Sequence, residues 1–314
     1  MRTVLFGMPR SGTTYGFSLL SEALRAKGPL REVFEPNRLE NGQFHRLDGM
    51  VWPDEDASLV KILYSSPEMH GWSGDAAAAA FAHFDRKIFL VRDPRDRWIS
   101  GFFYRWFYVH QPVPEEFARA LERVRAKEAD PASVPFHRLH ADSDEALRAH
   151  AAEQKQKLDE LSAFLDRLRA EGWFIWRYED LVDGNWSELE AYLGVSLPRT
   201  TEVRGNFRHV ARSQAHSDWR RWFTDEDVAF YQPVFNEYLR AQGYPADDWQ
   251  LEYPEHLPAQ QGSAYMSGLF HHPRGPHALP VPWSARATAR LRTWASLSLK
   301  ALGLKKALAA GSAR

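Results

Sequence analysis

The sequence contains no cysteine. That excludes disulfides, thiol nucleophiles and thiolate metal sites. It also lacks an excess of charge of either sign. Forty Lys and Arg stand against 41 Asp and Glu, so there is no bulk footprint for nucleic acid, and basic groups act only where they cluster. Long hydrophobic runs are missing too. None approaches the length of a membrane span, and the chain enters its first strand with no signal-peptide apolar core. The Ala76–Ala80 run, flanked by Asp75, His83 and Asp85, reads as helix. The expected location is the cytoplasm. What is present, 314 residues at 44% hydrophobic, provides for one sizeable core of about 250 residues with appendages.

The first loop has its own omission. Val4 to Phe6 leads into Gly7-Met8-Pro9-Arg10-Ser11-Gly12-Thr13-Thr14. This is the frame of a phosphate-cradling loop, G-x-x-x-x-G-K-[ST], with Gly7, Gly12 and Thr14 in place and Thr13 where the lysine belongs. Tyr15, Leu19, Leu20, Ala23 and Leu24 follow at helical spacing and Gly28 supplies a stop, which predicts a helix over Thr13–Lys27. Loop N–H groups and the helix N-terminus then face an anion. A nucleoside triphosphatase uses the missing lysine on its β- and γ-phosphates. Without it the frame suits a nucleotide with a single 5′-phosphoryl group, with Arg10 as the local cation. A plain strand–turn–helix is the alternative.

A second segment runs from Lys87 to Ser100. Ile88 to Val91 is a continuous apolar run, the mark of a strand buried on both faces. Asp93 can cap the next helix, and Pro94 suits its first turn because no donor is needed there. Arg92 ends the strand, and Ser100 lies roughly 9 Å beyond Pro94 along the helix. A cation and a hydroxyl so placed can hold two sides of one phosphate; the other reading is a charged helix cap. Further strands are expected near Thr3–Phe6, Glu32–Phe34, Leu59–Leu63 and Trp173–Trp176, with helices between most of them. The class is α/β, a P-loop-like central parallel sheet flanked by helices. Ligands of such sheets bind beyond the strands' C-terminal ends, where Arg10, Glu35, Arg92 and Tyr178 emerge.

Together the two motifs resemble the sulfotransferases that use 3′-phosphoadenosine 5′-phosphosulfate (PAPS). Those enzymes carry a Lys/Arg-Ser-Gly-Thr-Thr loop for the 5′-phosphosulfate, matched by Arg10 to Thr14. They also carry an arginine and a serine eight residues apart for the 3′-phosphate, matched by Arg92 and Ser100. Trp173 to Leu181, ending Tyr178-Glu179-Asp180-Leu181, is similar to their Y-E-D-L strand end, and Tyr192-Leu193-Gly194-Val195 follows it. Arg212 to Arg220 stands where the family has R-K-G-x-x-G-D-W-K; Arg212, Asp218, Trp219 and a basic Arg220 are kept, and the glycines are not. The resemblance runs from Met1 to about Tyr244. It implies donor binding by Arg10, Ser11, Gly12, Thr13, Thr14, Tyr15, Arg92, Ser100, Tyr178 and Arg212, with Tyr15 and Tyr178 flanking the adenine. It also implies adenosine 3′,5′-bisphosphate as the spent donor and no metal.

The same resemblance points to the reacting groups. Lys61 lies on the third strand, where relatives have a lysine close to the transferred group. Relatives acting on small molecules place a basic histidine two residues later, where this chain has Leu63. Glycan- and lipid-type relatives use a glutamate after the second strand, and Glu35 in Val33-Phe34-Glu35-Pro36 resembles their F-E-P. The expected catalytic set is Glu35 as general base with Arg10 and Lys61. Glu32 competes for the role of base, with His70 and His45 next, and a capping or ion-pairing carboxylate is the plain alternative for Glu35. The implied reaction is in-line sulfuryl transfer to a hydroxyl, on a glycan or glycolipid-like acceptor. Two other classes stay open: a P-loop phosphotransferase or kinase, and a non-catalytic nucleotide-binding protein of the same fold.

The remaining segments set the organisation. Gln111–Arg169 is polar and helical with Pro112, Pro114, Pro131 and Pro135 as breaks, and is read as a helical cap over the acceptor side. Of seven aromatics between Trp98 and Tyr108, most are assigned to the core. Residues 1–253 form the expected catalytic domain. Residues 254–314 are a proline-rich arm, its His271 and His272 without a third metal ligand, and then a basic amphipathic helix. That helix can pack, meet a partner, or lie at the inner membrane surface.

Overall fold

The computed structural model describes residues 1–36, 50–64, 80–108, 114–141, 143–199, 201–203, 209, 211–213, 215–273 and 277. Residues 76–79 of the expected Ala76–Ala80 helix, the expected basic C-terminal helix, His45 and His70 lie outside them. Two compact units are present, Met1–Leu269 and Phe270–Arg314. The first unit is therefore longer than the expected 1–253 domain. Leu257 and Met266 are buried, and Leu257 N–H donates to the Glu128 carbonyl. In the second unit, the Phe270 ring stacks on His277 with centroids 4.4 Å apart.

Five strands, β1 (Arg2–Gly7), β2 (Arg31–Phe34), β3 (Ser58–Leu63), β4 (Arg86–Val91) and β5 (Phe174–Arg177), form one sheet in the order β2-β3-β1-β4-β5. Every pairing is parallel. Each expected strand is present with its ends shifted by a residue or two. The physical reason is burial on both faces. Val4, Leu5, Phe6, Leu59, Val60, Ile62, Ile88, Phe89 and Leu90 have no exposed surface, which only apolar runs tolerate.

Helices cover both faces. Helix α1 (Thr13–Arg25) starts from Gly12 and buries Phe17, Leu19, Leu20 and Leu24 against Leu5, Leu59, Ile88 and Trp176. Helix α2 (Pro94–Tyr108) is capped by Asp93, whose carboxylate accepts the Arg95 N–H at 2.9 Å. Its Phe102, Phe103, Trp106 and Phe107 are core. Helix α3 (Pro114–Ala129) and α4 (Asp144–Ala170) fill the stretch read as a cap. The second half of α4 is instead a layer of the sheet. Leu158, Leu161, Phe164, Leu165 and Leu168 are buried at helical spacing, and Phe164 packs edge-on against Phe6 and Phe89. Short helices α5 (Tyr178–Asp183), α6 (Ser187–Leu193) and α7 (Trp219–Trp222) precede α8 (Asp225–Ala241) and α9 (Ser263–Phe270). Among the described residues no helix is long and apolar enough to cross a membrane.

The register aligns the strand ends. Phe34 pairs with Lys61, Gly7 with both Leu63 and Leu90, and Val91 with Arg177. Glu35, Met8, Arg92 and Tyr178 therefore leave the sheet along one edge, and the loops after β1 and β4 diverge there.

Candidate active site

The loop after β1 is shaped by backbone conformations that few residues adopt. Gly12 has φ 82° and Arg10 has φ 70°. A Cβ at Gly12 would run into the Tyr178 ring, 2.7 Å from Cε2, so only glycine lets that ring seal the loop. No side chain caps α1 at Gly12, which leaves its first-turn N–H groups directed at the loop's concavity. Ser11 Oγ is buried there with no hydrogen-bond partner among the described residues. A buried hydroxyl and an uncapped helix start fit an anion such as a phosphate.

Arg10 turns toward α2. Its Nε donates to Ser100 Oγ at 3.0 Å, and its guanidinium lies 3.9 Å from the centroid of the Tyr104 ring, worth about 0.5–2 kcal/mol as a cation–π contact. Arg92 reaches the same loop from β4: Nη1 donates to the Arg10 carbonyl at 3.2 Å and Nη2 to the Ala215 carbonyl at 3.3 Å. Its guanidinium lies over Tyr178 at 4.1 Å, and its buried Nε has no partner among the described residues. Arg92 and Ser100, paired by spacing, thus meet around Arg10. Tyr178 is held between Gly12 and Arg92, and Tyr15, in the first turn of α1, packs partly buried against the core.

On the other side of β1, Lys61 is 1% exposed in the middle of β3. A buried ammonium is costly unless paired. Its Nζ donates to Glu35 Oε1 at 2.6 Å and to Thr14 Oγ1 at 3.0 Å, so the end of β2 is tied through Lys61 to the first turn of α1. Glu35 has φ 50° and is anchored by its N–H to the Lys61 carbonyl at 2.8 Å. Glu32 is placed elsewhere. It pairs with Arg25 at 2.8 Å and accepts from Ser21 Oγ, both in the second half of α1 and away from the loop.

The fourth motif closes the site. Arg212 donates to Asp218 at 2.6 Å, as does Ser213 Oγ, and Arg212 Nε is another buried atom without a partner among the described residues. Where the family pattern has its second glycine, Ser217 adopts φ 61°. The left-handed turn survives because Asp96 accepts the N–H groups of Ser217 and Trp219, at 2.5 and 3.0 Å. Among the described residues, the three non-glycine positions with positive φ are Arg10, Glu35 and Ser217. Each costs of order 1–3 kcal/mol, and such strain gathers at functional sites.

Several supporting residues had no sequence signal strong enough to find them. Asp96 is one; its spacing of four from Arg92 was the available hint, and the pair stands at 3.9 Å. Burial pushes its carboxyl up to about 6, against the pull of Arg92. Glu179 is another. It accepts the Asp93 N–H at 3.0 Å and the Tyr244 hydroxyl at 3.2 Å, fixing the corner after Arg92. Burial pushes it up to about 6 as well. The folded protein therefore holds a proton on Glu179 at pH values where the unfolded chain has lost it, and stability falls as pH rises toward 6. Between pH 5 and 7 the wild type is expected to lose about 1 kcal/mol, or roughly 2–4 °C in Tm, relative to Glu179→Gln. Calorimetric Tm values of both proteins at the two pH values check this. Identical pH dependence would place the Glu179 titration at its ordinary value.

No protein-family model matches the chain, and no curated protein matches it in sequence. Among solved structures, it is similar to the crystal structure of mouse sulfotransferase SULT7A1 complexed with PAP. The identity is 14%, over 76% of this chain and 84% of that one, with a TM-score of 0.45.

Proposed function

We propose that the chain is a sulfotransferase that uses PAPS as donor and a hydroxyl as acceptor. The observation that carries this reading is the convergence, at one sheet edge, of a lysine-free phosphate loop with Arg92 and Ser100 on one side and the Glu35–Lys61–Thr14 chain on the other. The two sides separate nucleotide holding from group transfer. The donor supplies a sulfuryl group whose bond to the 5′-phosphate is the one broken.

The first-turn N–H groups of α1 and Ser11 Oγ hold the 5′-phosphate. Arg10 neutralises the charge that grows on it, an electrostatic contribution of the largest kind available to such sites. Arg92 and Ser100 hold the 3′-phosphate, with Arg212 beside them. Lys61, fixed between Thr14 and Glu35, brings a cation to the transferred group. Glu35 accepts the acceptor's hydroxyl proton as the acceptor oxygen bonds to sulfur, leaving a sulfate ester, adenosine 3′,5′-bisphosphate and a proton on the carboxylate. The Phe34-Glu35-Pro36 sequence and Leu63 in place of histidine favour a glycan or glycolipid-like acceptor.

Incubation with sulfur-labelled PAPS and a panel of hydroxyl acceptors, sugars and glycolipids included, is expected to give labelled ester. Turnover is expected to survive EDTA, because Thr13 stands where a Mg²⁺-dependent triphosphate site has lysine. Loss of activity with EDTA, restored by Mg²⁺ with ATP as donor, would assign the chain to the phosphotransferases. Nucleotide binding without transfer to any acceptor would favour a non-catalytic binding protein.

A further inference from the structure

The segment 257–269 lies beyond every motif discussed above, yet it is fastened to the core at several points. The Ser263 N–H and hydroxyl both donate to Glu128 on α3. A Cβ at Gly262 would stand 2.8 Å from the Trp222 ring, so the backbone is pressed onto that side chain. Arg212 donates to the Gln261 carbonyl at 3.3 Å and Arg221 to its side chain at 3.2 Å. Met266 and Leu269 are buried. These contacts hold α9 as a fixed element.

Tyr265 projects from α9 to the phosphate loop. Its hydroxyl oxygen lies 3.4 Å from Arg10 Nη2. The Arg10 guanidinium is thus approached on three sides: Ser100 Oγ at Nε, the Tyr104 ring on its face, and the Tyr265 hydroxyl at Nη2. An arginine side chain has much rotamer entropy to lose, and fixed contacts remove part of that freedom in advance. When Tyr265 oxygen accepts from Arg10, its own proton is directed elsewhere, in keeping with a phenol that is both acceptor and donor.

We propose that Tyr265 is a positioning residue of the donor site, holding Arg10 in the orientation that meets the nucleotide's 5′-phosphate. The inference rests on the donor-site reading above and adds the 257–269 segment to that site. Tyr265→Phe keeps the ring and removes the hydroxyl. Calorimetric titration with adenosine 3′,5′-bisphosphate should show binding weakened roughly 3- to 10-fold, the range for one hydrogen bond. In an Arg10→Ala background the same change should have no effect, because the hydroxyl acts through Arg10; a purely structural role would weaken binding in both backgrounds alike. Tm of the single variants is measured alongside, and Tyr265→Phe is expected within about 2 °C of wild type. Full-strength binding by Tyr265→Phe, or equal losses with and without Arg10, overturns the proposal while leaving the donor site standing. A wild type that binds no adenosine 5′-phosphate or 3′,5′-bisphosphate overturns both.

Discussion

Glu35→Gln is expected to lower kcat by roughly 10² to 10⁴ while leaving donor affinity almost unchanged. That is the usual size of general-base assistance, about 3–5.5 kcal/mol of barrier. The substitution keeps an oxygen for Lys61 Nζ, which lies 2.6 Å from the Glu35 carboxylate, so the buried ammonium retains an acceptor there and another in Thr14. Folding should survive, and a Tm within a few degrees of wild type would show that it has. The matched control is Glu32→Gln. Glu32 is held by Arg25 and Ser21 on α1, so its loss should act on stability and spare most of the turnover. Steady-state kinetics with a fixed acceptor separate the cases. A Glu35→Gln enzyme within a few-fold of wild type, with Glu32→Gln inactive, would move the base to Glu32.

Arg92→Ala is expected to weaken adenosine 3′,5′-bisphosphate by roughly 10- to 150-fold, the loss of about 1.5–3 kcal/mol carried by a charged hydrogen-bonding group. The side chain has a second duty, since it also holds the Arg10 and Ala215 carbonyls. Part of any loss can therefore come from a slackened loop. Adenosine 5′-monophosphate reports that part alone, and Arg92→Lys restores charge without the fork that reaches both carbonyls. The difference between the two ligands, measured by calorimetry on each variant, is the 3′-phosphate's share. Equal weakening of both would make Arg92 a brace of the loop. Ser100→Ala should reproduce a smaller loss, because Ser100 offers one hydroxyl already engaged by Arg10.

Much of the fold was legible in the sequence because buried parallel strands leave little freedom in composition. Ile88 to Val91 admitted one reading, and Asp93-Pro94 marked the helix start that the structure shows. The meeting of Arg10, Glu35, Arg92 and Tyr178 along one edge followed from placing strand ends, which the register bears out. The last part of the stretch read as a cap, 111–169, turned out to be a sheet layer for a definable reason. The polar composition of α4 hid the spacing of Leu158, Leu161, Leu165 and Leu168, which seats its second half on the sheet. Tyr265 could not be found at all, since its partner Arg10 lies 255 positions away and no periodic pattern links them. Ser217 was half-legible: it stands where the family pattern has a glycine, but what holds its left-handed backbone is Asp96 on α2. Partners such as Tyr265 and Asp96 are chosen by tertiary geometry, which local sequence does not spell out.

The proposed donor site is one for a nucleotide phosphorylated at both the 3′ and 5′ positions. Titration calorimetry of the wild-type protein with adenosine 3′,5′-bisphosphate, adenosine 5′-monophosphate and ATP with Mg²⁺ tests it most directly. The 3′,5′-bisphosphate is expected to bind at least tenfold more tightly than either of the others, with no requirement for a divalent ion. Equal affinity for the bisphosphate and the monophosphate, or tightest binding of Mg²⁺-ATP, would contradict it.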